Sequence, residues 1–416
     1  MLADTELPVV VVGAGPCGMG LAACLVHAGI KTLVLDRDDH VSTEWRASTF
    51  HPPTLEQLAP VGLTEKMVEA GLVADRYQIR DRRLGLVAEF DYSTLSGDTD
   101  YPFRLQLEQY KFVELALDYI RAGGRAEVRY STELIAIDQS GPNPVITVSG
   151  PSGTERIEAA FVVGADGAKS TTRKLLGIGF DGWTYQQRFL LISTDLDFGR
   201  HMPDLCHVNY IADPEEFVML LRIPDVWRVL VPVREDADPE QVTSPENLRR
   251  VIEGVVGADA AGTELGILGH QLYNVHQRVA ERLYDGRVVL VGDAAHINSP
   301  MGGFGLNSGL QDSFDLAVRL GRLLGDRPTD PEAVDTELST YSDTRRAVAL
   351  EHVRRMSHNN TQLLMRADEA ERAADRARLA AIAADPEATR SYLLDASMIN
   401  AAREHGFGRP VSGAAI

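Results

Sequence analysis

The chain has 416 residues, of which 44% are hydrophobic and 24% are charged, and these values are typical of a globular protein with a large core. Its formal net charge of −19 argues against nucleic acid and against an anionic membrane surface as partners, because both bind basic faces. Cys17, Cys24 and Cys206 show neither disulfide-framework nor Cys-x-x-Cys spacing, so we expect reduced thiols, a cytoplasmic location and no metal site.

The first predicted elements form a strand–helix–strand unit over residues 8–36. Val9–Val12 is an uninterrupted β-branched run, which is typical of a fully buried strand in a parallel sheet. A glycine-rich turn follows, then an apolar helix over about 18–27, and then a second strand over Thr32–Leu35. This order of elements is that of a βαβ unit.

The turn after the first strand carries a Gly-x-Gly-x-x-Gly motif. Gly13, Gly15 and Gly18 permit a tight turn and let backbone N–H groups approach a pyrophosphate at the positive end of the helix. Asp36 ends the second strand, where its carboxylate can accept hydrogen bonds from a ribose. With strand, helix and terminal acid all in place, the motif predicts dinucleotide binding without separating NAD from FAD.

A second motif, Gly164-Ala165-Asp166-Gly167, lies in the middle of the chain. Before it, residues 77–91 show the alternating residue pattern of strands. Residues 104–122 show the apolar spacing of an amphipathic helix, and residues 127–163 contain short β-rich runs. Taken alone, the motif is explained as a turn in which Asp166 or Ser170 caps the following helix. Residues 183–275 are again rich in strand patterns.

Three arginines, Arg222, Arg228 and Arg234, lie in one part of this strand-rich segment. They leave open a local basic pocket for an acidic ligand, although arginines on strands commonly face solvent.

A third motif, Gly292-Asp293, follows a predicted strand over about 287–291. Ligands of open α/β sheets bind at the carboxyl ends of strands, so Asp293 is placed to hold a sugar-alcohol hydroxyl. The next helix, predicted over about 306–324, directs its positive end at a ligand that develops negative charge. His296 is equally well explained as a buried histidine with a partner. After Pro331 the chain is predicted to be helical almost to its end.

Together, the three motifs in this order resemble the flavoprotein aromatic hydroxylases typified by para-hydroxybenzoate hydroxylase, over about residues 8–355. The resemblance implies an α/β fold in which a Rossmann-type FAD-binding domain is interleaved with a β-sheet substrate domain and followed by C-terminal helices. The implied division is 1–75, 101–180 and 276–355 for FAD, 76–100 and 181–275 for the substrate, and 356–416 for the helical region.

The same resemblance implies roles for individual residues. Asp166 resembles the family residue that serves both the flavin and the nicotinamide, and Asp293 resembles the acid that binds the ribityl chain. Arg46 resembles the arginine beside the FAD phosphate and ribose, and Gln106 resembles a residue on the helix that faces the cofactor. The implied cofactor-binding residues are Gly13, Gly15, Gly18, Asp36, Arg37, Arg46, Gln106, Asp166, Gly292, Asp293, Pro300, Gly303, Gly305, Leu306 and Asn307.

The implied activity is an FAD-dependent monooxygenase, monomeric or homodimeric, that hydroxylates a phenolic or hydroxy-heteroaromatic small molecule through a flavin hydroperoxide. FAD would be bound non-covalently, NADH or NADPH would be the reductant, and molecular oxygen would be the co-substrate. Since deprotonation activates such a ring, a base or proton relay is expected, for which His207 and Tyr210 are the candidates. Arg222 and Tyr185 are candidate substrate contacts.

Other functions are possible on the same fold. A flavin-dependent reductase or oxidase would use the same motifs without inserting oxygen, and a non-catalytic flavin-binding protein would use them without turnover. A halogenase is disfavoured, because Ile223-Pro224-Asp225-Val226-Trp227 lacks the second tryptophan of the Trp-x-Trp-x-Ile-Pro pattern.

Overall fold

The computed structural model describes residues 7–257, 265–325 and 330–405. In chain order the strands are β1 (Val9–Val12), β2 (Thr32–Leu35), β3 (Thr49–Phe50), β4 (Leu72–Ala74), β5 (Arg76–Asp81), β6 (Gly85–Asp91), β7 (Arg104–Gln106), β8 (Ala126–Arg129), β9 (Glu133–Asp138), β10 (Val145–Gly150), β11 (Gly153–Glu158), β12 (Phe161–Gly164), β13 (Phe180–Thr194), β14 (Val208–Ala212), β15 (Val218–Arg222), β16 (Trp227–Arg234), β17 (Ile267–Ala280), β18 (Tyr284–Asp285), β19 (Val288–Leu290) and β20 (His296–Ile297).

The helices are α1 (Pro16–His27), α2 (Pro52–Leu58), α3 (Thr64–Ala70), α4 (Gln109–Gly123), α5 (Thr171–Leu175), α6 (Pro239–Val242), α7 (Pro245–Val256), α8 (Phe304–Gly325), α9 (Pro331–Ala347), α10 (Arg354–Met365), α11 (Glu369–Ala384), α12 (Pro386–Ala396) and α13 (Ile399–Glu404). A π-helical turn, Val348–Val353, joins α9 to α10. Among the described residues, none of these helices combines the length and the apolarity that crossing a membrane requires.

A six-stranded sheet in the order β18-β19-β12-β1-β2-β8 forms the first layer. Its pairings are parallel except for β18 with β19. Side chains alternate between the two faces of a strand, so Val9 and Val11 enter the core formed with α1, α4 and α8, whereas Val10 and Val12 enter a second core beneath β9 and β10. Because both faces are covered, the β1 sequence is uninterruptedly apolar.

An eight-stranded sheet in the order β20-β17-β13-β16-β15-β14-β5-β6 forms the second layer. It is antiparallel except for the pairing of β14 with β5. Alternate residues of β13 again serve two cores. Phe189 and Leu191 pack on the side of the C-terminal helices, and Leu190 and Ile192 pack on the side of α7.

The predicted α/β fold class is confirmed, but one predicted helix is wrong in its extent. Residues 104–106 form β7, which pairs with β3 and β4 in a small antiparallel sheet, and α4 begins only at Gln109. The helical spacing of apolar residues extends too far because the buried Leu107, in the short link between β7 and α4, falls in phase with the apolar face of the helix. The proposed domain division stays a prediction.

Two buried aspartates attach the C-terminal helices to the rest of the chain. Asp98 accepts hydrogen bonds from Nε and Nη2 of Arg390, both at 2.7 Å, and from Nη2 of Arg403 at 2.9 Å. Asp81 accepts hydrogen bonds from Arg372 at 2.8 Å and from Arg376 at 3.2 Å. Each of these two aspartates therefore forms hydrogen bonds with two arginines of the C-terminal helices.

We predict that Asp98→Asn lowers the free energy of unfolding at pH 7 by about 1–2 kcal/mol, a modest value because both arginines are partly exposed. The hydrogen bonds from Arg390 hold the pKa of Asp98 below its ordinary value. The stabilisation is therefore present above about pH 4 and is lost as the pH falls through the lowered pKa. Urea unfolding of the two proteins at several pH values measures the effect.

Glu114→Gln, at an exposed position on α4, is the matched control and should leave the unfolding curve unchanged. Equal unfolding free energies for the wild type and Asp98→Asn at pH 7 would contradict the prediction.

Candidate active site

A continuous cavity of about 640 Å³, called here the central cavity, lies between the two large sheets. At one end it is bordered by the carboxyl ends of β1, β2 and β12 and by the turn after β19, and at the other by one face of β13–β17. The predicted residues that line it are Gly13, Gly15, Asp36, Arg37, Arg46, Asp166, Asp293, Pro300, Gly303, Gly305, Leu306 and Tyr210. Those that are not part of its lining are Gly18, Gln106, Gly292, Asn307, His207, Arg222 and Tyr185.

The glycines of the first turn have different reasons for lacking a side chain. Gly13 has a φ of +110°, and a Cβ there would lie 2.4 Å from the carbonyl oxygen of Ala165. A Cβ on Gly18 would lie 1.9 Å from the carbonyl oxygen of Gly13, so this glycine lets α1 pack against the turn. A Cβ on Gly15 would instead project into open space beside the cavity. No side chain caps the start of α1, so its first N–H groups face a potential anionic ligand.

Asp36 fixes the position of this turn. Its carboxylate accepts hydrogen bonds from the backbone N–H of Ala14 at 2.6 Å and from that of Asp38 at 2.9 Å. Each carboxylate oxygen can accept a further hydrogen bond, and the side chain borders the cavity. The geometry therefore allows Asp36 to bind a ribose while it holds the end of β2 against the turn.

Asp166 is engaged in capping. One carboxylate oxygen accepts a hydrogen bond from Ser170 Oγ at 2.5 Å, and the other accepts hydrogen bonds from the N–H and Oγ1 of Thr172 at 2.9 and 3.0 Å. Ser170 in turn caps α5 through the N–H of Arg173. The capping explanation is thus what the structure shows, and Asp166 also borders the cavity.

Asp293 has no such partners. Its carboxylate faces the cavity, and no hydrogen bond reaches it from the part of the chain that the structure describes. The surrounding protein raises its pKa by desolvation, and the charges of His296 and Arg46 oppose that rise. A carboxylate with free lone pairs at the end of a parallel strand is suited to accept hydrogen bonds from ligand hydroxyls.

His296 does not reach the cavity but belongs to a buried cluster around Asp312. The carboxylate of Asp312 accepts hydrogen bonds from His296 Nε2 at 2.8 Å, from the N–H of Gly292 at 3.0 Å and from Arg345 Nε at 2.6 Å. Burial alone would raise the pKa of Asp312, but the adjacent His296 and Arg345 hold it below its ordinary value. The prediction that His296 is a buried histidine with a partner is confirmed.

Asn307 is also structural. Its amide donates hydrogen bonds to the carbonyl oxygens of Thr49 and Gly303, and its side-chain oxygen accepts hydrogen bonds from the N–H of His51 and the hydroxyl of Thr54. All four hydrogen bonds are between 2.7 and 2.8 Å, so the side chain has no capacity left for a cofactor. Gly292 likewise serves the turn, since its φ is +60°.

Gln106 lies on a strand and not on the cofactor-facing helix that the resemblance implied. It lies on β7, is fully buried, and accepts a hydrogen bond from Thr49 Oγ1 at 3.1 Å. Gln109, the first residue of α4, lines the central cavity instead. The two glutamines are three residues apart in the sequence. Knowing that α4 begins at Gln109 is what identifies Gln109 as the one on the helix.

The far end of the cavity is an apolar wall with a few polar groups. Leu191, Met219, Leu221 and Leu230 supply the apolar surface, and Tyr210, Arg228, Gln271 and Tyr273 supply the polar groups. Burial raises the pKa of Tyr273, which keeps its hydroxyl protonated at neutral pH. This composition is typical of a small-molecule site in which few polar groups orient a mostly apolar ligand.

Of the three arginines that left open a basic pocket for an acidic ligand, Arg228 is the one that lines the cavity, although Arg222 was the candidate substrate contact. Arg228 is 4% exposed, donates a hydrogen bond to the carbonyl oxygen of Arg46, and lies 5.4 Å from the centre of the Trp45 ring. Desolvation lowers its pKa to about 10, so the guanidinium stays charged at neutral pH. It forms no ion pair with a carboxylate of the described chain, and the nearby Glu108 is paired with Lys111.

The other predicted catalytic and substrate residues lie elsewhere. His207 Nδ1 donates a hydrogen bond to the carbonyl oxygen of Val73, and Tyr185 is hydrogen-bonded to His358. The Arg222 guanidinium lies near the ring of Trp227. Arg222 and Arg228 belong to the paired strands β15 and β16, and Arg228 is directly opposite Leu221. Cross-strand partners share a face, so Arg228 joins Leu221 at the cavity whereas Arg222 points to the opposite side.

Residues 6–356 match the protein family described as FAD binding domain. The para-nitrophenol 4-monooxygenase of Pseudomonas sp. strain WBC-3 is 32% identical over 399 residues, covering 95% of this chain and 96% of that protein. The 6-hydroxy-3-succinoylpyridine 3-monooxygenase of Pseudomonas putida is 31% identical, covering 76% of this chain and 80% of that protein.

Solved structures show the same relationship. The crystal structure of p-nitrophenol 4-monooxygenase from Pseudomonas putida DLL-E4 superposes with a TM-score of 0.89 at 30% identity, covering 98% of this chain and 100% of that one. The complex of aklavinone-11 hydroxylase with FAD and aklavinone gives a TM-score of 0.75 at 28% identity, covering 88% of this chain and 70% of that one.

We predict that Asp293→Asn weakens FAD binding by about 10- to 100-fold, because an amide replaces the charged acceptor of one or two hydrogen bonds. The fold should be retained, since no described residue donates a hydrogen bond to the Asp293 carboxylate. Titration of the apoprotein with FAD, followed by flavin fluorescence, measures the dissociation constant.

The control for this substitution is Asp343→Asn on the exposed face of α9, for which FAD affinity should be unchanged. If Asp293→Asn bound FAD as tightly as the wild type, the carboxylate would not be a flavin ligand.

Proposed function

The chain belongs to the FAD binding domain family and is a flavin-dependent aromatic monooxygenase, and from this premise we propose that it hydroxylates a small phenolic or hydroxy-heteroaromatic ring with NADH or NADPH as reductant and oxygen as co-substrate. The observation that carries the proposal is the continuity of the central cavity. The cavity extends from the glycine-rich turn after β1, which is typical of dinucleotide-binding sites, to a wall of apolar and phenolic side chains.

Four features of the cavity fit FAD. The open start of α1 and the space beside Gly15 suit a pyrophosphate, and Asp36 suits the adenosine ribose. The unpaired carboxylate of Asp293 suits the hydroxyls of the ribityl chain. The loop from Pro300 to Leu306, which also lines the cavity, would then border the flavin ring, with the start of α8 directed at it.

Bound FAD supplies the redox chemistry, namely acceptance of reducing equivalents from the nicotinamide and activation of oxygen. The contribution of this chain is to hold the ring of the substrate against the apolar wall and to exclude water from the space between substrate and flavin. Leu191, Leu221 and Leu230 provide that wall. A substrate confined there presents its ring at a fixed position relative to the flavin.

The polar groups of the wall indicate the electronic character of the substrate. A phenolic ring is more electron-rich when its hydroxyl has lost its proton. Arg228 places an unneutralised positive charge at the cavity, and Tyr210 and Tyr273 offer phenolic hydroxyls. These groups favour a ring that carries a hydroxyl and a second polar or acidic substituent. The names of the two bacterial relatives describe rings of that kind, a nitrophenol and a hydroxypyridine with a succinoyl chain.

The decisive experiment is a screen of phenols, hydroxypyridines and aromatic acids against the FAD-loaded protein. We expect at least one compound to accelerate NADH or NADPH oxidation, with one atom of labelled oxygen from O₂ appearing in the product. Acceleration without label in any product would indicate a reductase or oxidase. No acceleration by any ring compound at full FAD occupancy would support a non-catalytic flavin-binding protein.

Arg228→Met should raise the KM for an acidic phenol by about 10- to 100-fold, as expected for loss of a buried hydrogen bond to a charged group. The matched control is Arg234→Met on the same strand, where the arginine is exposed and paired with Asp236. Steady-state kinetics at fixed nicotinamide and oxygen separates the two variants. Equal KM values for the two variants would show that Arg228 does not contact the substrate.

A further inference from the structure

The loop Pro300–Leu306, called here the flavin loop because the proposed function places it beside the flavin ring, begins with a tight turn. The N–H of Gly303 donates a hydrogen bond to the carbonyl oxygen of Pro300 at 3.0 Å. Gly302 and Gly303 have φ angles of +107° and +72°, which residues with side chains rarely adopt. Two successive glycines leave the peptide between them free to rotate unless another group holds it.

His51 holds the peptide between these two glycines. Its Nε2 donates a hydrogen bond to the carbonyl oxygen of Gly302 at 2.9 Å. The imidazole is fully buried and stacks on the ring of Phe304, with the ring centres 5.8 Å apart and the planes inclined by 13°. Burial and the charge of the nearby Arg104 hold the pKa of His51 well below its ordinary value. The ring is therefore neutral at neutral pH, and its one N–H proton is on Nε2.

Packing alone does not explain a histidine at this position. Among the described residues Nδ1 of His51 is buried without a hydrogen-bond partner, which costs free energy that an apolar ring would avoid. A phenylalanine could stack on Phe304 in the same way. The feature that the histidine adds is a donor directed at the carbonyl oxygen of Gly302.

The side of the flavin loop that borders the central cavity is left with N–H groups. Gly303, Gly305 and Leu306 line the cavity, and α8 begins within the loop, so the first N–H groups of this helix have no intrahelical partner. The carbonyl oxygen of Gly303 is directed at Nδ2 of Asn307, 2.7 Å away, just as that of Gly302 is directed at the imidazole. A negatively charged edge of a ligand therefore meets donors and the positive end of a long helix.

We propose that His51 is a positioning residue that keeps the Gly302 carbonyl turned away from the central cavity, so that the flavin loop offers only donors to the flavin ring and stabilises its reduced form. The inference rests on the proposed function in placing the ring beside this loop. A hydride, or two electrons and one proton, leaves the ring with one negative charge, which N–H groups stabilise and a carbonyl oxygen opposes. His51 thus sets part of the reduction potential although it does not line the cavity.

The test is the midpoint potential of the bound flavin, measured by chemical reduction beside a reference dye in the absence of any aromatic compound. His51→Gln and His51→Met form a matched pair, because their side chains have similar length and shape but only the glutamine amide can donate a hydrogen bond to the Gly302 carbonyl. We expect His51→Gln to stay near the wild-type potential. His51→Met should fall below it by about 30 mV, which corresponds to a tenfold loss of preference for reduced over oxidised FAD.

His352→Met is the control for the loss of a buried histidine. His352 also packs on Phe304, edge to face with 6.2 Å between the ring centres, but it is hydrogen-bonded to the backbone of Asp395 and not to the flavin loop. A purely structural role of His51 would lower the thermal stability of His51→Met and His352→Met alike and would change the potential of neither. The proposal requires a lowered potential in His51→Met alone.

Equal midpoint potentials in His51→Met and His51→Gln at full FAD occupancy overturn the proposal, and so does an equal fall in His352→Met. If His51→Met does not bind FAD, His51→Phe takes its place, because it keeps a ring against Phe304 and removes the donor. Failure of all three His51 variants to bind FAD also overturns the proposal, since the donor retained in His51→Gln would then not be the group that matters.

The measurement separates this inference from the proposed function because it needs no turnover. A lowered potential in His51→Met of a protein that hydroxylates no ring compound would refute the proposed hydroxylation and support the role of His51. Hydroxylation of a phenol by a protein whose His51→Met and His51→Gln potentials are equal would do the reverse.

Discussion

Asp312 carries a carboxylate that is completely enclosed by protein, and the geometry of the candidate cofactor site depends on it. Its three donors come from the turn after β19, from β20 and from α9, while Asp312 itself lies on α8. Removal of a carboxylate from water is offset only when all its partners are in place. The turn that presents Asp293 is consequently held in one conformation. The backbone is tight there as well, since a Cβ on Gly292 would lie 2.6 Å from Cys17 Sγ.

Hydrogen bonds also link the segments that carry the three motifs. The N–H of Gly13 donates to the carbonyl of Leu35, and the N–H of Ala165 donates to the carbonyl of Val12. Arg173, which follows the second motif, donates to the carbonyl oxygen of Ala294 at 2.9 Å. Three segments that are far apart in sequence thus form one rigid edge of the parallel sheet. A cofactor that contacts all three meets groups already in position, so little conformational entropy is lost on binding.

This arrangement explains why the cofactor end was predictable from sequence and the substrate end was not. The glycine turn, Asp36 and Asp293 each follow a buried strand directly, so local order alone places them at the sheet edge. Tyr210, Arg228 and Tyr273 lie on different strands of the antiparallel sheet. Which face each one occupies depends on register between strands, and a shift of one residue reverses it. Strand register also explains why the candidate Arg222 lies outside the central cavity. The candidate Gln106 lies outside it for a different reason, because the helix implied to carry it begins only at Gln109.

Arg104 and Arg228 belong to a small group of buried arginines that also contains Arg80, Arg173, Arg345 and Arg372. The chain has a net charge of −19, and many of its arginines, such as Arg234 and Arg249, are paired with carboxylates at the surface. Arg104 and Arg228 are buried without such a pair among the described residues, and both are close to the same cavity wall. Two uncompensated cations in a medium of low dielectric produce a positive potential that the surface charge, screened by solvent, does not cancel. A neutral apolar ring alone would gain nothing from that potential, whereas a ring with an ionised substituent would.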